Sequence, residues 1–110
     1  MSKEDILILL DTAMTDPGSI KSGEYLEEHA YEYLRRVLHF DREGITQALC
    51  EWIDRRTEPE TMLAVRLARR LKVIEVKPHI ANLRKEVDRG EVFMRFYLLT
   101  IDQALDELNE

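Results

Sequence analysis

Cysteine, glycine, proline and aromatic residues are all scarce in this chain of 110 residues. The single Cys50 excludes an intramolecular disulfide framework and a multi-cysteine zinc site. Four glycines and three prolines are few for a loop-rich or disordered protein. The chain also lacks a glycine-rich phosphate loop, a Gly-x-Ser-x-Gly elbow and a paired-histidine metalloprotease motif. We therefore expect a non-enzymatic protein that has no cofactor and no metal.

Long apolar runs are absent as well. No stretch reaches the roughly 20 apolar residues that cross a bilayer, and the acidic start of the chain is unlike a signal peptide. With its lone cysteine, the chain is expected to reside in the reducing cytoplasm and to have no contact with a membrane.

The residues that are abundant predict an all-α fold. Hydrophobic residues make up 45% of the chain and charged residues 35%, and the apolar positions recur at helical spacing. We predict a single helical domain over 1–110 with five to six helices. It comprises a capping helix over 3–15, a helix pair over 24–56, a second pair over 57–90 and a terminal element over 91–108. The terminal element is either one long helix or two short ones broken near Thr100.

The second helix pair carries the strongest local signals. Thr57 and Glu60 form a capping box at its start. Pro78 opens the second helix, because proline is favoured in a first helical turn, and Gly90 is a natural C-terminal cap. Neither helix can bury its apolar stripe alone, so a short turn is expected to make them antiparallel neighbours.

This pair resembles a HEAT repeat through Ala64-x-x-Leu67-Ala68-x-x-Leu71, the turn with Pro78 and the following Ile80-x-x-Leu83. At a shift of about 34 residues, a period typical of helical repeats, this face superposes on four positions of the first pair: Ala30, Tyr33, Leu34 and Val37. The resemblance implies a short right-handed α-solenoid of antiparallel helix pairs. A compact helical bundle is the alternative, and the pattern does not choose between them.

The resemblance also implies a function. In solenoids of this kind the second helix of each pair lines the ligand surface, so we expect a protein-binding or scaffolding module whose partner is another protein. The implied binding positions come from the second helices of the two pairs: Gln47, Glu51, Asp54, Asn82, Lys85, Glu86 and Arg89.

Charge is distributed unevenly and supplies two alternatives. The chain has a net charge of −6, yet residues 66–95 hold nine basic and four acidic side chains. Arg66, Arg69 and Arg70 in this basic band could bind an anion or nucleic acid, although the pI near 5.1 argues against nucleic acid. Conversely, the chain could be a small acidic inhibitor or immunity-type protein that binds a basic enzyme. The Glu24–Glu32 cluster would then steer it onto that enzyme. Ordinary solvated faces explain both charge clusters equally simply.

Single residues give weaker indications of function than the helix pairs and the charge clusters. Cys50, beside Leu49 and Trp52, is expected to be a half-buried small hydrophobe. The sequence pairs His79 with no nucleophile or carboxylate. Phe93, Phe96 and Tyr97 are candidates for a homodimer contact if any of them is exposed.

Overall fold

The computed structural model describes Glu4 and residues 6–8, 23–58 and 60–108, with residues 23–26 described by their backbone alone. These parts of the chain are helical and contain no strand, so the predicted all-α fold is confirmed. Residues 4 and 6–8 are helical within the predicted helix over 3–15. The rest of that helix lies outside the described residues.

Five helices follow in order. They are α1 (Gly23–Val37), α2 (Arg42–Arg55), α3 (Glu60–Leu71), α4 (Lys77–Asp88) and α5 (Leu98–Glu107). Short 3-10 helices, Ile74–Val76 and Arg95–Tyr97, lead into α4 and α5. Pro78 lies in the first turn of α4, as predicted. The expectations for 91–108 are wrong in detail, because α5 begins only at Leu98 and continues unbroken through Thr100.

The chain divides into two compact units, Met1–Ala48 and Leu49–Glu110, with the division inside α2. In the second unit, α5 packs against both α3 and α4. The three helices bury stripes that recur every three to four residues, as amphipathic helices do. The buried side chains include Leu63, Leu67 and Leu71 of α3, Ile80, Leu83 and Val87 of α4, and Ile101 and Ala104 of α5.

The helix ends use left-handed backbone. Arg56, Lys72 and Gly90 follow α2, α3 and α4 with φ of 56°, 57° and 76°. At the end of α4 the Glu91 N–H donates to the Glu86 carbonyl at 2.9 Å, and the Gly90 N–H donates to the Val87 carbonyl at 3.0 Å. These two bonds form a Schellman motif. The predicted role of Gly90 as a C-terminal cap is therefore confirmed.

Replacing Gly90 with alanine is expected to lower the free energy of unfolding by about 1 kcal/mol, because an L-residue is disfavoured in left-handed backbone. No atom lies within 4 Å of the added Cβ, so this cost comes from the backbone and not from a clash. Urea unfolding measures it. Gly90→Asn is the matched control and should cost less, because asparagine tolerates this conformation. Equal costs for the two variants would contradict the assignment.

The end of α2 is closed differently, through a buried hydroxyl. The Thr57 N–H donates to the Thr61 Oγ1 at 3.0 Å, and the Thr61 hydroxyl donates to the Trp52 carbonyl at 2.8 Å. Thr61 is fully buried. Its hydroxyl thus bridges two backbone groups that would bond directly in a Schellman motif. The capping box predicts Glu60 as the acceptor of the Thr57 N–H, and the structure assigns that role to Thr61 instead.

Candidate functional site

Two side-chain contacts connect the end of α2 to α4. The Nδ1 of His79 lies 3.0 Å from both carboxylate oxygens of Asp54. Directly after α2, Arg56 makes a bidentate contact with Glu86, with Nε–Oε1 at 3.0 Å and Nη2–Oε2 at 2.9 Å. Two of the predicted binding positions, Asp54 and Glu86, are therefore engaged with neighbouring side chains of the same unit. The expectation that His79 has no carboxylate partner is wrong, because Asp54 approaches it from 25 residues away.

The other predicted binding positions lie mostly on the surface. Asn82, Lys85 and Arg89 are exposed on or just after α4. Glu51 pairs with Arg55 at 2.8 Å within α2. Gln47 belongs to the first unit, where its side-chain amide donates to Glu43 at 3.2 Å. A binding role for these residues stays a prediction.

Cys50 lies near two acidic side chains, Asp54 and Glu75. Burial and, to a smaller extent, the negative charges of Asp54 and Glu75 together raise the pKa of its thiol to about 11. Cysteine acts as a nucleophile or metal ligand through its thiolate, which this environment suppresses. The expected half-buried position of Cys50 is confirmed. Within the described part of the chain, no three His, Cys, Asp or Glu side chains are grouped as metal ligands.

The basic band meets the acidic residues of α5. Glu107 contacts Arg69 at 3.0 Å and Lys72 at 3.3 Å, and Arg84 contacts Asp102 at 2.5 Å. An anion that approached Arg69 would have to compete with Glu107. Arg66 and Arg70, the other members of the predicted anion site, are half-buried and also make polar or electrostatic interactions. Anion binding by these three arginines stays a prediction.

These ion pairs imply a loss of stability in acid. Hydrogen bonds from Arg69 and Lys72 lower the pKa of Glu107, and the hydrogen bond from Arg56 lowers the pKa of Glu86. A carboxylate whose pKa is lowered by folding stabilises the fold above its unfolded pKa, and this contribution is lost as the pH falls through its folded pKa. We therefore expect the Tm to drop as the pH falls below about 4.5, the ordinary pKa of glutamate. Glu86→Gln and Glu107→Gln should each flatten this drop.

A differential scanning calorimetry series across this pH range tests the expectation. Asp106→Asn, an exposed carboxylate of the same helix α5, is the control and should leave the slope as it is in the parent chain. If Glu107→Gln and Asp106→Asn gave the same profile, the ion pairs of Glu107 would not contribute to stability.

Exposed apolar side chains lie on the connection between α4 and α5 and in the first turn of α5. Met94, Phe96 and Leu99 are 67%, 66% and 71% exposed, and we call these three residues the 94–99 patch. The Phe96 ring packs 4.3 Å from the ring of Tyr97, and the Phe93 ring meets Tyr97 edge-on at 5.9 Å. Of the three aromatic residues singled out from the sequence, Phe96 is exposed, whereas Phe93 and Tyr97 are half-buried.

Tyr97 connects this segment to Glu58, which precedes α3 in the chain. Its hydroxyl donates to the carboxylate of Glu58, and this hydrogen bond raises the pKa of the phenol. Sequence reasoning does not identify Met94 and Leu99 as exposed residues, although the apolar spacing of α5 contains a signal for Leu99. The buried stripe of α5 runs through Ile101, Ala104 and Leu108, and Leu99 lies off that stripe.

Comparisons of this chain with protein-family models, with curated proteins and with solved structures found no match. Among the described residues, no helix combines the length and the apolar character needed to cross a membrane.

Proposed function

We propose that this chain is a non-enzymatic protein-binding module. The observation that carries the proposal is the 94–99 patch. Exposed apolar side chains that occur singly are ordinary, but grouped ones mark interaction sites. Here three large apolar side chains project from six consecutive positions. The Phe96 ring packs against the Tyr97 ring, which also meets the Phe93 ring edge-on, so Phe96 needs little reordering to bind.

The chemistry at Cys50 supports a binding role over catalysis. Cys50, Asp54 and His79 are residue types of a nucleophilic triad, but a thiol whose pKa is about 11 is protonated at neutral pH and reacts slowly. We also propose a cytoplasmic location, since a reducing compartment suits the free thiol of Cys50.

A short HEAT-like solenoid is the arrangement we propose for the helices. Two observations support it. The left-handed residues that end α2 and α4, Arg56 and Gly90, are 34 positions apart, the same shift that relates the two helix pairs in sequence. In addition, α5 packs against both α3 and α4, as the first helix of a following repeat does. A compact bundle is the alternative arrangement.

Inserting a second copy of residues 57–90 after Gly90 separates the two arrangements. A repeat array accepts another unit, because each unit contacts only its neighbours. The variant should then unfold cooperatively in urea with an increased m-value, which scales with the surface exposed on unfolding. A closed bundle has no place for the extra pair, so aggregation or an unchanged m-value would contradict the solenoid.

Capture of partners from a cell lysate tests the binding function. The immobilised full chain is compared with the double variant Phe96→Ser/Leu99→Ser and with Phe40→Ser. Phe40 is the matched control, because it is 71% exposed and lies outside the patch. We expect proteins that bind the parent chain and Phe40→Ser and are lost with the double variant. Urea unfolding of all three chains checks that the substitutions leave the fold intact.

Half of each lysate is treated with nuclease. Partners that persist after treatment support direct protein binding. Partners lost with nuclease would instead favour the basic band and its predicted site at Arg66, Arg69 and Arg70. Capture of the same proteins by all three chains would contradict a role for the patch.

The predicted surface on the second helices is tested separately. Charge reversal at Glu51 and Lys85 should weaken a partner bound there, with purified partner and surface plasmon resonance as the measurement. Unchanged affinity in both variants would remove that surface from the proposal. The acidic cluster has contacts of its own: the side chains of Glu27, Glu28 and Glu32 make interactions within the chain, and Glu24 lies outside the described side chains. If the chain is an acidic inhibitor of a basic enzyme, its association rate with that enzyme should fall as the salt concentration rises.

A further inference from the structure

We draw no further inference here: the strongest candidate, the 94–99 patch on the connection between α4 and α5 and the first turn of α5, carries nothing beyond the proposed binding function, because nothing in the described part of the chain shows what covers it.

Discussion

Replacing Thr61 with valine is expected to lower the free energy of unfolding by about 2–4 kcal/mol. Valine has nearly the shape of threonine but cannot accept from the Thr57 N–H or donate to the Trp52 carbonyl. A buried polar group left without its hydrogen bond costs about 1–3 kcal/mol. Thr61 is fully buried, so water cannot take the place of the hydroxyl without a local opening of the α2–α3 turn.

Thr61→Ser is the matched control for this substitution. It keeps the hydroxyl and removes one methyl group, which costs about 1 kcal/mol in a packed site. Urea unfolding can be followed by the fluorescence of Trp52, the single tryptophan, which is itself buried beside this turn. If valine were as stable as serine at this position, the bridging hydroxyl would contribute nothing and the capping arrangement would be wrong.

Thr61 also shows where sequence reasoning stops. Apolar spacing predicts α1 to α4 closely, because each helix buries a stripe that repeats along the chain. Helix ends depend on which group meets an unpaired N–H or carbonyl. The residue type of Gly90 predicts a left-handed cap, whereas Arg56 and Lys72 adopt the same left-handed backbone conformation without such a signal. The capping-box pattern predicts a helix start three residues before the first residue of α3, Glu60, and the choice of Thr61 over Glu60 as acceptor depends on how α2 meets α3.

For the charged residues too, the sequence predicts the general distribution but not the individual contacts. Composition along the chain shows a basic band at 66–95 followed by an acidic end, and opposite signs of this kind predict attraction between the segments. The pattern cannot tell that Glu107 would reach Arg69, 38 positions earlier, because that contact depends on the packing of α5 against α3. The pairing of His79 with Asp54 is hidden for the same reason. The exposure of Phe96 is likewise a property of the packed structure, and the sequence only makes Phe96 a candidate.

The thiol of Cys50 is expected to hold about 100-fold less thiolate at pH 8 in the folded chain than in the unfolded chain. The pKa rises from 9.0 to about 11 on folding, chiefly through burial and further through Asp54 and Glu75. A more basic thiolate is also more nucleophilic, by about tenfold over this range, so the alkylation rate should fall about tenfold from ionisation alone. Restricted access can only slow the reaction further. Iodoacetamide labelling followed by mass spectrometry measures both states, with urea providing the unfolded reference.

The pH dependence of this labelling distinguishes ionisation from access. Access scales the rate equally at every pH, whereas a raised pKa moves the whole profile. The rate in the folded chain should still increase about tenfold per unit at pH 10, where the rate in urea has levelled off. Asp54→Asn should raise the folded rate at pH 8 and leave the rate in urea unchanged, because it removes one of the two negative charges near the sulfur. A folded profile that levels off near pH 9 would mean that Cys50 is an ordinary thiol, and its reactivity would no longer argue against catalysis.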